Sequence, residues 1–290
     1  MVMLLKTRII SAAVGLIVLA VALIFYDTLL SDILVCLICA DGILELFKAA
    51  GLTKYKVLCA VSIFCSMAIV LRNTRAVHFM FSVLCYIFVV LLFIFQLRHH
   101  RDVKIGEVCY AFLMTIFLSL SFGCFILAKT IDGAQLGVFY LLITFGSAWW
   151  ADTGAYFAGT FWGKHKLCPQ VSPKKTVEGL IGGVFTAVIG NALVSLLFQW
   201  LSNTLAPFGY LTHPVTVNLP LIIAVTPFLA LVGVLGDLSA SVIKRQYNVK
   251  DFGNIMPGHG GVMDRFDSVL FVSPMAFFIF NVFSVASFIK

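Results

Sequence analysis

Residues 108–128 read VCYAFLMTIFLSLSFGCFILA, 21 consecutive positions without a charged side chain. At about 1.5 Å of rise per residue, such a run makes a helix of about 30 Å, the thickness of the hydrocarbon core of a bilayer. Similar runs lie on both sides of it. Nine apolar stretches stand out, at roughly 9–26, 28–48, 55–72, 77–97, 108–128, 134–158, 176–200, 218–243 and 267–288. Backbone in lipid must satisfy its own hydrogen bonds, so these stretches are expected to be helices. The expected fold is all-α, a polytopic integral membrane protein with about nine transmembrane helices. Composition agrees: 61% of the 290 residues are hydrophobic and 11% charged. Soluble domains carry about 25% charged residues. A soluble globule and a disordered chain are both excluded.

The basic residues orient the helices. With a cytoplasmic N-terminus, sixteen of the 20 Lys and Arg fall in cytoplasmic segments, among them Lys6, Arg8, Lys48, Lys54, Arg98, Lys104, Lys164 and Lys250. Only Arg72, Arg75, Lys129 and Lys290 fall on the other side. The positive-inside rule accounts for this split and for most of the formal charge of +7, so a nucleic-acid partner is not implied. The first apolar stretch follows Lys6 and Arg8 without a small-residue cleavage site and reads as a retained span. Seven of the eight cysteines lie inside apolar runs, where Cys behaves as a small hydrophobe. Cys36 and Cys39 form a C-x-x-C with no second Cys or His pair, which leaves packing against zinc or redox use, with packing favoured.

Five acids fall within the apolar stretches: Asp41, Glu45, Asp152, Glu178 and Asp237. Each costs at least ~2.5–3.5 kcal/mol at the bilayer centre, so each faces the bundle interior, water or an interface. Asp41 and Glu45 share a helix face at i,i+4. Glu178 lies in the first turn of its helix, where the dipole favours an acid. Asp237 is followed at helical spacing by Ser241, Lys244 and Arg245, a stripe that reads either as part of a site or as an acid neutralised by a basic helix end.

The following segment runs Lys250-Asp251-Phe252-Gly253-Asn254-Ile255-Met256-Pro257-Gly258-His259-Gly260-Gly261-Val262-Met263-Asp264-Arg265-Phe266-Asp267. Glycines around His259 let the backbone take positive φ and approach a ligand. Asp264 and Asp267, at i,i+3, point one way and offer hard oxygens of the kind that join Mg²⁺ to phosphates. Lys244, Arg245, Lys250 and Arg265 suit phosphate oxygens. These are the parts phosphoryl or nucleotidyl transfer needs. Other nucleotide motifs fail on spacing. Gly163-Lys164 is followed by His165, and position 158 is Ala, so there is no P-loop. Met263 stands where a dinucleotide fingerprint needs its third Gly.

The pattern Ser241-x-x-Lys244-Arg245-x4-Lys250-Asp251-x5-Pro257-x-His259-Gly260-Gly261-x-x-Asp264-Arg265-x-Asp267, preceded by Gly236-Asp237-Leu238, resembles the signature of the phosphatidate cytidylyltransferase (CDP-diacylglycerol synthase) family. Met256 stands where that family usually has Leu, Ile or Phe. A second region resembles the same family: Asp152-Thr153-Gly154-Ala155-Tyr156, then Gly159 and Gly163, then Ser172-Pro173-Lys174-Lys175-Thr176-Val177-Glu178-Gly179. Within it Ser172 and Pro173 read as an N-cap and first helical turn, an anion site. Lys174 and Lys175 also suit a headgroup anchor. The specific match covers about 145–290; the N-terminal 140 residues match in hydropathy alone. The implied division is 1–130 as N-terminal transmembrane helices and 131–290 as a catalytic membrane domain with cytoplasmic polar loops 159–175 and 244–266.

The resemblance implies that CTP and phosphatidate give CDP-diacylglycerol and pyrophosphate at the cytoplasmic face of a bacterial inner (plasma) membrane. It implies Mg²⁺, alone or with a second cation, on Asp237, Asp264 and Asp267. Lys244, Arg245, Lys250 and Arg265 would bind triphosphate or lipid phosphate, with Ser241 beside them and Lys175 and Ser172 as further candidates. Backbone N–H groups of Gly258, Gly260 and Gly261 would cradle pyrophosphate. His259 would act in proton transfer or as a hydrogen-bond donor. A homodimer is left open. The competing readings are a CTP-dependent lipid kinase and, from the intramembrane acids, a transporter. A CDP-alcohol phosphatidyltransferase is set aside because Asp41-Gly42 and Asp132-Gly133 lack the Ala-Arg of that class.

Overall fold

A computed structural model describes residues 2–72, 75–206, 213–258 and 260–289, without the side chains of 2–10, 12 and 75–80. The chain runs α1 (Val2–Ile24), α2 (Leu29–Ala49), α3 (Lys56–Val70), α4 (Arg75–Arg98), α5 (Ile105–Leu127), a single turn α6 (Lys129–Asp132) and α7 (Ala134–Trp162). A hairpin β1 (Lys166–Cys168) and β2 (Ser172–Thr176) leads into α8 (Val177–Leu205). Then follow β3 (Val215–Val217), α9 (Leu219–Gln246), α10 (Met263–Val282) and β4 (Ala286–Phe288). The all-α membrane architecture stands. Among the described residues six helices are long and apolar enough to cross a membrane, and α3 and the second half of α1 are shorter apolar helices. On α8, Ile181, Phe185, Ile189 and Leu193 form an exposed stripe that lipid would cover.

Two elements differ from the reading of the sequence. The last helix covers 263–282 rather than 267–288, because Ala286–Phe288 pair antiparallel with Val215–Val217, Val215 opposite Phe288. Ser172 and Pro173 do not start a helix. They begin β2, with Ser172 opposite Cys168, and α8 starts five residues later. The cap is Thr176, whose Oγ1 accepts the N–H of Gly179 at 3.1 Å. Pairing with β1 holds 172–176 extended, so no helix N-terminus is available at Ser172 to bind an anion.

The chain forms two compact units. Unit 1 comprises residues 1–126 and 244–266, and unit 2 comprises 127–243 and 267–290. The 244–266 segment thus clusters with the N-terminal helices. In unit 1, Ile43, Leu46 and Phe47 of α2 are fully buried, as are Leu118 and Phe122 of α5, and the Phe122 ring lies 5.5 Å from that of Phe266. The C-terminus of α9 closes in a Schellman motif: Asn248 takes φ 55°, its N–H bonds Arg245 O at 3.2 Å, and Val249 N–H bonds Lys244 O at 3.0 Å. This turn directs the chain into the glycine-rich segment.

In unit 2, α7 and α8 pack through glycine. A Cβ on Gly154 would lie 2.3 Å from Thr186 Oγ1, one on Gly182 2.3 Å from Ala158 Cβ, and one on Gly183 2.5 Å from Ala151 O. Small residues let membrane helices approach this closely. Buried Asn191 adds a polar tie, donating to Ser147 Oγ (2.9 Å) and Thr226 Oγ1 (3.2 Å). Because the obstacle at Gly183 is backbone, Gly183→Val is expected to separate the pair at a cost of about 1–3 kcal/mol. A lowered melting temperature in detergent micelles checks this; an unchanged one would mean the helices accommodate the branch.

Candidate active site

Unit 2 carries a cavity of about 480 Å³ lined by Asp152 and Tyr156 of α7, Lys166 of β1, Lys174 and Lys175 of β2, and Asp237 of α9. The hairpin delivers the lysines. Its base is held by Glu178 in the first turn of α8, which accepts the N–H of Lys164 (3.0 Å) and pairs with His165 Nδ1 at 2.6 Å. Glu178 is therefore a helix-end acid that fixes the hairpin. Lys175 Nζ meets Asp237 Oδ2 at 2.5 Å, both side chains about one-quarter exposed. Ser241 Oγ lies 3.5 Å from Asp237 Oδ1, so the predicted Asp237–Ser241 stripe forms. The cation that meets Asp237 comes from β2, not from the helix end that the sequence suggests.

Asp267, at the second turn of α10, accepts the N–H of Ser268 on Oδ1 at 2.8 Å. Ser268 Oγ lies 3.4 Å from that same oxygen and 3.3 Å from Asp152 Oδ2. Two carboxylates of unit 2 thus converge on one hydroxyl, whose single hydrogen serves one of them at a time.

In unit 1, Asp264 organises the glycine-rich segment. Its Oδ2 accepts the N–H groups of Phe252 (2.8 Å), Gly253 (3.4 Å) and Gly261 (3.0 Å). Its Oδ1 faces Lys244 Nζ at 2.8 Å, with the Asp264 side chain 4% exposed. Lys244 also stands 5.2 Å over the Phe252 ring. Gly258 and Gly260 take φ of 78° and 84°, so the expected positive-φ turn is present. Met256 N–H bonds Gly260 O across it at 3.0 Å. The N–H of Gly261 is turned onto Asp264 rather than outward as a phosphate cradle would need. Arg245, Lys250 and Arg265 are exposed. His259 lies outside the described residues.

The family resemblance puts magnesium on Asp237, Asp264 and Asp267. Among the described residues, no three His, Cys, Asp or Glu side chains are grouped to hold a metal ion. Asp237 and Asp264 each face a lysine ammonium. The donor chemistry that fits Mg²⁺ is the Asp152–Asp267 pair of unit 2, since this ion commonly takes one or two carboxylates and completes its shell with water and phosphate. In the sequence Asp152 is one intramembrane acid among five, and only the fold brings it to Ser268, the neighbour of Asp267.

The membrane-length helices, the lysine-lined cavity of unit 2 and the glycine-rich turn of unit 1 define a polytopic membrane protein with charged groups set among its helices. A family model described as "Cytidylyltransferase family" matches residues 6–283, and the chain belongs to that family. It is 39% identical over 196 residues to the phosphatidate cytidylyltransferase of Bacillus subtilis (strain 168), a stretch covering 68% of this chain and 66% of that protein. It is 45% identical over 139 residues to the phosphatidate cytidylyltransferase of Staphylococcus aureus (strain COL), covering 48% of each chain. The corresponding protein of Staphylococcus haemolyticus (strain JCSC1435) is 44% identical over the same length. The chain thus spans from about half to about two-thirds of the length of these relatives.

Proposed function

We propose that this protein transfers the cytidylyl group of CTP to phosphatidate. A phosphate oxygen of the lipid forms a bond to the α-phosphorus of CTP, the bond from that phosphorus to the β-phosphate's bridging oxygen breaks, and pyrophosphate leaves with CDP-diacylglycerol as product. The observation that carries this reading is the unit 2 cavity, lined by Lys166, Lys174 and Lys175 together with Asp152 and Asp237 of two membrane-crossing helices. The acyl chains stay in lipid while the headgroup reaches the cations. The names of the curated relatives support the substrates.

The protein's part is positioning and charge neutralisation. Lys175 is held by Asp237 with its ammonium at the cavity wall, and Lys166 and Lys174 add charge for phosphate oxygens. In unit 1, Lys250 and Arg265 present exposed cations, while Lys244 is committed to Asp264. Magnesium, held by Asp267 and Asp152 when bound, would neutralise triphosphate charge. A cytoplasmic N-terminus, a plasma-membrane location and a homodimer go with this reading; the sixteen-to-four basic split supports the orientation.

The test is incorporation of labelled CTP into lipid by purified protein with and without added phosphatidate. Label in CDP-diacylglycerol with pyrophosphate released is the expected result. Release of CDP instead identifies the lipid-kinase alternative and overturns the proposal. Lys250→Ala removes one exposed cation and is expected to raise KM for CTP or phosphatidate about two- to fivefold, the size of an exposed charge contact. Unchanged kinetics would take Lys250 out of the site.

A further inference from the structure

Glu45 is a buried carboxylate in the penultimate turn of α2, 6% exposed. Its Oε1 accepts the N–H of Val262 at 3.0 Å and its Oε2 that of Met263 at 2.8 Å, across 217 and 218 positions of sequence. Met263 is the first residue of α10, where N–H groups lack partners within the helix and the dipole is positive. A Cβ on Gly253 would lie 1.8 Å from Glu45 Oε1, and one on Gly261 2.0 Å from it. Neither glycine has positive φ, so their lack of a side chain serves the carboxylate and not a turn. Asp264 binds the N–H groups of the same two glycines. Two acids, one from α2 and one from α10, therefore share the 252–263 segment.

We propose that Glu45 is a positioning residue: by filling the N-terminal end of α10 and bracing Gly253 and Gly261, it sets the shape of this segment and with it the placement of the flanking Lys250 and Arg265 toward substrate phosphate. The α10 N-terminus is consequently already neutralised by the protein's own anion and is not where substrate phosphate docks. Each Glu45 oxygen takes one N–H, so Gln, with one oxygen, leaves an N–H opposed by an NH₂.

The kinetic half of this inference rests on the proposed transferase activity; the structural half does not. The experiment compares wild type, Glu45→Gln, Glu45→Ala and Gly261→Ala in the same detergent, reading amide hydrogen exchange and CTP incorporation. Exchange at Phe252 and Gly253, which Glu45 does not bond directly, is expected to rise at least tenfold in the three variants while α8 stays protected. The kcat is expected to fall at least tenfold, with less change in KM for CTP. The double variant Glu45→Ala/Gly261→Ala is expected to be no worse than the worse single, since the deleted carboxylate makes room for the added methyl. Unchanged exchange at Phe252 and Gly253 overturns the proposal, as do additive losses in the double variant or faster exchange with full kcat. A wild-type protein that transfers no label sinks the functional reading instead, and the exchange data then decide Glu45 alone. If Glu45→Ala fails to fold, Glu45→Gln and Gly261→Ala decide the matter by the same two readouts.

Discussion

Asp264→Ala is expected to abolish cytidylyl transfer, lowering kcat/KM by at least about 10²-fold, while the protein still inserts into membranes. The substitution leaves three N–H groups, those of Phe252, Gly253 and Gly261, without their shared acceptor. Each orphaned buried donor costs about 1–3 kcal/mol. It also strips Lys244 of its carboxylate, with that ammonium only 17% exposed on its side chain. The segment then keeps only the Glu45 contacts and the Met256–Gly260 bond, and a displacement of about 1 Å in catalytic groups is enough for a 10²-fold loss. Membrane insertion is set by the apolar length of the helices, which the loss of this contact between the last turn of α9 and the first of α10 does not change. Full activity of purified Asp264→Ala in detergent with magnesium, CTP and phosphatidate supplied would refute the role. Asp264→Asn keeps one acceptor oxygen for the three N–H groups but turns an amide toward Lys244, and its expected loss is smaller.

Lys175→Met is expected to lower kcat/KM by about 10- to 150-fold, the value of a charge-assisted hydrogen bond of about 1.5–3 kcal/mol. Lys175 lines the cavity and its ammonium is placed by Asp237. Asp237→Asn separates the two roles. If Asp237 acts by placing the lysine, the asparagine, which keeps an oxygen facing Nζ, retains more activity than Lys175→Met. Exchange of the pair, Lys175→Asp with Asp237→Lys, restores the ion pair yet moves the cation to α9, and is expected to stay inactive. Recovery of activity in the exchanged protein would show that the pair is a structural tie and that the cavity cation lies elsewhere.

The site was legible in the sequence where chemistry depends on local spacing. Asp264 and Asp267 at i,i+3 fall on the opening turns of α10, and Ser241 stands one helical turn from Asp237, as their separations require. The positive-φ glycines at 258 and 260 follow from a turn that only glycine enters without strain. Ser172-Pro173 misled because serine before proline suits a helix start and a strand start alike. The decision lay with β1, a partner whose pairing no single-segment pattern encodes. Glu45 carried one legible signal, an acid placed where insertion is costly, which says that it has a partner without saying which.

What the sequence determined alone is the membrane-helical class, the approximate course of the apolar helices and the stock of acids, lysines and glycines for phosphate chemistry. Apolar length, helical periodicity and backbone preference are properties of neighbouring residues, so they are fully present in one dimension. Tertiary structure decided the pairings: Glu45 with the start of α10, Lys175 with Asp237, Lys244 with Asp264, and Asp152 with Ser268. A buried charge needs a counterpart of suitable chemistry, and many side chains in the chain qualify. Only packing of the helices selects which of them stands within hydrogen-bond reach.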